Sequence, residues 1–144
     1  MKLKRSLAVC ALLLCLLAGP NTALGQTKTH HVVFALTSGD EADWNLTLGN
    51  MRNLLKSFGD TPYEVELVAF GPGLSSVITK TSTVADDIKA LQEKHVHFLA
   101  CENSMRARKV TAADLLPGVD PTPSGIVEVV RRQEEGWVYI KGGR

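Results

Sequence analysis

Three short runs of apolar and β-branched residues recur along this chain: His30–Thr37 (HHVVFALT), Tyr63–Phe70 (YEVELVAF) and Val96–Cys101 (VHFLAC). Each reads as a strand that stops at turn or helix-start chemistry. Helical spacing fills the intervals. Asp40, Glu41 and Asp43 place negative charge at a helix start, where the helix dipole favours it. Trp44, Leu48, Met51, Leu55 and Phe58 then recur at spacings of four and three, and the pattern ends at Gly59. Val84 to Lys94 carries Ile88 and Leu91 on one helical face. Asn103–Arg108 reads as the first turns of another helix, and Thr111 to Asp114 fits a capping box opening a further short one.

The C-terminal stretch admits two readings. Gly125–Gln133 (GIVEVVRRQ) forms either a helix or one arm of a hairpin with Trp137–Ile140 (WVYI). Helix then strand is favoured, because Glu134-Glu135-Gly136 makes a better helix end than a hairpin turn. The order strand, helix, strand, helix, strand, helix, helix, strand predicts an α/β fold with a mostly parallel sheet and helices on both faces. In such folds ligands and reactions sit just outside the carboxyl ends of the strands.

The chain of 144 residues suits one domain. Its first 25 residues read as a signal peptide. Lys2, Lys4 and Arg5 make a basic start, Leu7–Ala18 is apolar, Gly19-Pro20-Asn21 breaks the run, and Ala23-Leu24-Gly25 offers small residues to a peptidase. The apolar run is short for a membrane span, which disfavours a retained anchor. Leu14 before Cys15 argues against a lipoprotein, and Lys4-Arg5 is not a twin arginine. Cleavage near Gly25/Gln26 predicts a periplasmic or secreted domain over residues 26–144, with no membrane attachment afterwards. Losing those three cations leaves 13 basic residues against 15 acidic ones. Such a domain lacks the basic stripe of nucleic-acid binders.

Cys10 and Cys15 leave with the signal peptide, so Cys101 has no partner in its own chain. In an oxidising compartment such a thiol is buried, paired between chains or chemically used. Cys101 ends a strand and directly precedes a helix. Backbone N–H groups and the dipole there lower a thiol pKa from about 8.5 towards roughly 3.5–7.5. Arg106 and Arg108 add positive field. From position alone, a reactive thiolate and a small buried side chain are equally good accounts.

Other motifs carry less. His95, His97 and Cys101 share a strand face, but at about 3.3 Å per residue His97 lies roughly 13 Å from Cys101, too far for a common metal. His30-His31 opens the first strand, at the opposite end of the sheet. No metal site is expected. Ser38-Gly39-Asp40 and Gly71-Pro72-Gly73 follow strands and are candidates to line the Cys101 edge, though neither matches a nucleotide loop. No cofactor is expected.

Three stretches together resemble the DsrE/DsrF-like family of sulfur-relay proteins, in particular its TusD/YchN-like members. They are Ala100–Arg108 (ACENSMRAR), Leu115–Val119 (LLPGV) with Pro123–Glu128 (PSGIVE), and Arg132–Ile140 (RQEEGWVYI). The resemblance spans about residues 30–140. It implies a flavodoxin-like three-layer α/β/α fold, a C-terminal helix followed by a strand, and assembly into a homotrimer or homohexamer. It implies that Cys101 matches the cysteine that carries a persulfide in active members, between sulfur-donor and sulfur-acceptor proteins. Asn103 and Arg106, with Ser38 and Gly71, are then the expected substrate-side residues. Asn103 is expected to cap the helix or to meet the terminal sulfur. An export signal departs from the cytoplasmic members, whose relay partners an exported protein would not meet.

Overall fold

The computed structural model describes residues 28–144. The signal-peptide reading of residues 1–25 lies outside the described residues. The elements run β1 His30–Leu36, α1 Glu41–Phe58, β2 Tyr63–Ala69, a 3-10 helix Gly71–Val77, α2 Ala85–Gln92 and β3 Val96–Cys101. They continue with α3 Glu102–Arg108, a 3-10 turn Ala112–Asp114, β4 Val119–Thr122, α4 Gly125–Glu134 and β5 Val138–Lys141. All five strands are parallel, in the order β4-β3-β2-β1-β5.

Local chemistry sets the boundaries. The Asp40 carboxylate accepts the Ala42 N–H at 2.9 Å and starts α1. Gly59, at φ 56°, stops it, and its own N–H reaches the Leu55 carbonyl. Trp44, Leu48, Met51 and Leu55 are buried, so the stripe read from the sequence is the stripe that packs. Each such side chain contributes about 1.5–3 kcal/mol on leaving water. The capping box closes as expected: the Asp114 carboxylate accepts from both the N–H and the hydroxyl of Thr111.

Chain direction dictates the layers. Right-handed crossovers from β1 to β2 to β3 to β4 move one way across the sheet and leave α1, α2 and α3 on one face. The step from β4 to β5 runs back past them, so α4 falls on the other. The first face holds the main core, with Phe34, Leu67 and Phe98 beneath α1 and α2. The second is thin: Val33, Ala35, Val68 and Val129, flanked by Phe70, Leu99 and Trp137.

The helix-then-strand reading of the C-terminal stretch holds. The sequence reading is corrected at β4, which it left out. Val119-Asp120-Pro121-Thr122 has no alternating pattern and contains a proline, but an edge strand tolerates a residue that cannot donate to a neighbour. The stretch after β2 is likewise more than a turn. It forms the 3-10 helix, in which Gly73 donates to the Thr37 carbonyl at 3.0 Å. A Cβ there would sit 2.2 Å from the Leu36 carbonyl oxygen, so only glycine lets this segment lie across the end of β1.

Candidate functional site

Cys101 is the last residue of β3 and the N-cap of α3. On the opposite face α4 begins directly above it: a Cβ on Gly125 would lie 3.1 Å from the Cys101 Cβ. Two helix starts from two layers therefore meet at one cysteine. Burial pushes the Cys101 thiol up, but hydrogen bonds outweigh it. The Gly125 N–H contributes most, then the N–H and hydroxyl of Ser104, then the Asn103 N–H. The thiol is held below its ordinary value. The Ser104 oxygen accepts the Gly71 N–H at 2.8 Å, which leaves its O–H free to donate.

Beside the sulfur lies a cleft of about 370 Å³, lined by Gly71, Pro72, Asn103, Ser104, Ala107 and Arg108. Arg108 is braced by Ser75, whose hydroxyl accepts from its guanidinium at 2.7 Å. Cys101 itself is 4% exposed and is not part of the cleft wall.

The residues singled out from sequence divide. Gly71 reaches the site through its N–H and lines the cleft. Asn103 also lines it, but its side chain neither caps α3 nor meets the sulfur. Its carboxamide oxygen accepts from Arg106, and only its backbone N–H serves Cys101. Arg106 turns outward to Glu102 and Asn103. Ser38 stands apart, its hydroxyl donating to Asp43 at 2.6 Å at the start of α1. That contact comes first among the causes that hold the Asp43 carboxyl down to about 2, with Arg144 next. Ser104 and Gly125 were missed. Ser104 had a signal, because a serine three residues after an N-cap can turn its hydroxyl back onto the cap. Gly125 had none, because its place over Cys101 depends on the β4 crossover.

The profile of the DsrE/DsrF-like family matches residues 30–141. The chain belongs to the DsrE/DsrF-like family. Two solved structures resemble it. One is a protein of unknown function from Methanobacterium thermoautotrophicum, 37% identical with a TM-score of 0.73. The other is the ychN protein of E. coli, 13% identical with a TM-score of 0.62. Each match covers 78% of this chain and 98% of the other. No curated protein matches it. Within this DsrE/DsrF-like domain the two histidine pairs stay away from Cys101. His30 stacks on Phe58 and His31 on Trp137 at the amino ends of the strands. His95 precedes β3 at φ 60°, and His97 is exposed.

Proposed function

We propose that this protein is a sulfur carrier that holds sulfane sulfur as a persulfide on Cys101. Family membership supports a sulfur-relay role, and one observation carries the assignment: the starts of α3 and α4 meet at Cys101, where their N–H groups and the Ser104 hydroxyl favour the charged form of the thiol. Such a donor set stabilises a thiolate, the nucleophilic form. In the uptake step the Cys101 thiolate attacks the outer sulfur of a donor persulfide, R–S–SH. A new S–S bond forms, the donor's S–S bond breaks, and R–S⁻ leaves with the electron pair. In delivery an acceptor thiolate attacks the outer sulfur of Cys101–S–SH, and the Cys101 thiolate leaves. No net oxidant is consumed. Gly71, Asn103, Ser104 and Arg108 are placed to border the entering sulfur.

Two further expectations belong to this reading. The basic start and apolar run of residues 1–25 support export to the periplasm or the exterior. Exposed Ile126, Val127 and Val130, on α4 beside the site, support association into a homotrimer or homohexamer.

The burial of Cys101 favours a second reading, a binding module in which the thiol is inert. Intact mass after exposure to polysulfide separates the two. Added mass in whole sulfur atoms, removed by reductant and missing from Cys101→Ala, is expected for a carrier. Uptake only after unfolding would sink the carrier reading and leave the binding module.

A further inference from the structure

Helix α4 has little apolar purchase on the sheet. Only Gly125 and Val129 of its residues are buried, while Ile126, Val127 and Val130 turn outward. What grips the sheet is ionic. Glu66, in the middle of β2, is 2% exposed, and its Oε2 accepts from the Arg132 guanidinium at 2.6 Å. Arg132 stacks over Trp137 at 4.2 Å and lies 3.0 Å from the Glu128 carboxylate through its Nε. That Nε contact is close but misaligned, and neither it nor Glu66 Oε1 has a hydrogen-bond partner among the described residues. The Glu66–Arg132 bond is thus the charge-assisted hydrogen bond in this cluster that ties α4 to the sheet beneath it, and the Glu128 carboxyl of α4 also lies against Glu66. Burial pushes the Glu66 carboxyl up, Arg132 opposes the rise, and the neighbouring Glu128 carboxyl adds to it. Arg131 on α4 and Glu135 at its C-cap lie at the exposed side of the cluster. His31 on β1 and His97 on β3 stand on the same sheet face, with His97 in register beside Glu66.

The other end of α4 carries Gly125. Arg132 lies about 10 Å further along the axis, two turns at 1.5 Å per residue. At the near end the fit is close, with Phe70 and Cys101 both within 3.1 Å of where a Gly125 Cβ would lie. A small tilt of the helix there takes the Gly125 N–H off the sulfur. We propose that Arg132 is a positioning residue for Cys101: by clamping buried Glu66 it sets how α4 lies on the sheet and so holds the Gly125 N–H on the thiolate. This rests on the reading of Cys101 as a thiol held below its ordinary pKa and adds a group that helps to hold it there.

The test is a thiolate titration of Cys101 by ultraviolet absorbance in the unaltered chain, Arg132→Met and Glu66→Met, with Arg131→Met as a control. Glu66→Met replaces a buried acid by an apolar side chain of equal length, and Arg132 keeps Glu128 and Glu135 beside it; far-ultraviolet circular dichroism checks that each variant folds. Each clamp variant is expected to raise the midpoint by about one pH unit, which is about tenfold less thiolate at a given pH below it. The control is expected to leave it unchanged. The signs separate seat from field. Losing a cation near a thiolate raises its midpoint, but losing an anion lowers it. Upward movement in Glu66→Met therefore reports position. An unmoved or lowered midpoint in Glu66→Met overturns the proposal, as does an ordinary thiol midpoint in the unaltered chain. If Arg132→Met fails to fold, Glu66→Met decides alone. The carrier reading fails separately. A low midpoint that Glu66→Met raises, without polysulfide uptake, would sink the carrier and keep the clamp. Uptake with unmoved midpoints would do the reverse.

Discussion

Gly125 and Cys101 touch across two layers of the fold, with no space for a side chain between them. A Cβ on Gly125 would lie 3.0 Å from the Phe70 Cβ and 3.1 Å from the Cys101 Cβ, so α4 must lift to admit it. Gly125→Ala is expected to cost about 1–3 kcal/mol of stability, the usual range for overpacking. It is also expected to slow alkylation of Cys101 at mildly acidic pH, because the lifted N–H no longer favours the thiolate. Denaturant unfolding and iodoacetamide kinetics read the two effects separately. Unchanged alkylation alongside lower stability would mean that Gly125 only packs.

Ser104 joins β2's end to the sulfur. Removing its hydroxyl leaves the Gly71 N–H without its acceptor and takes one donor from Cys101. Ser104→Ala is expected to lower stability by about 1 kcal/mol, the net value of a typical hydrogen bond. The Cys101 midpoint should move up. Ser104→Thr, which keeps the hydroxyl, should restore most of it.

Arg106 offers a contrast. It is 65% exposed in its side chain and engages Glu102 and Asn103 rather than the sulfur. Arg106→Ala is expected to change the alkylation rate of Cys101 by less than about twofold, since exposed charges are well screened. A larger loss would place Arg106 in the site after all.

Acid stability turns on Asp43. Its carboxyl is held at about 2 against an ordinary 3.8. Its folded value is depressed, so its contribution is fully present above the unfolded value and is lost as pH falls between about 4 and about 2. Asp43→Asn should therefore be less stable than the unaltered chain at neutral pH, with the difference closing towards pH 2. Thermal unfolding across that range checks it. A constant difference would assign the effect to packing.

The strands and the long helix were legible because each carries its own signal: β-branched runs, a three-and-four stripe, Asp40 at one end of α1 and Gly59 at the other. Cys101 was legible for the same reason, as a residue at a strand end before a helix. β4 was not, because an edge strand of four residues with Pro121 inside it has no periodicity to detect. The site's second half was lost with it. Only the β4-to-β5 crossover puts Gly125 above Cys101, and no local pattern encodes a contact between layers. Where Arg106 points was not legible, because charge near a cysteine in sequence does not fix the direction of a long side chain.

The strand order also sets a timetable. As the chain elongates, β2, β3 and β4 each meet a partner already made, and the sheet grows away from β1 in one direction. The opposite edge of β1 stays bare until β5 arrives. Val32 to Ala35, which later pair with β5, thus spend nearly all of synthesis as an apolar template for any passing strand. For a nascent chain of this topology, the hazardous interval closes only when β5 docks.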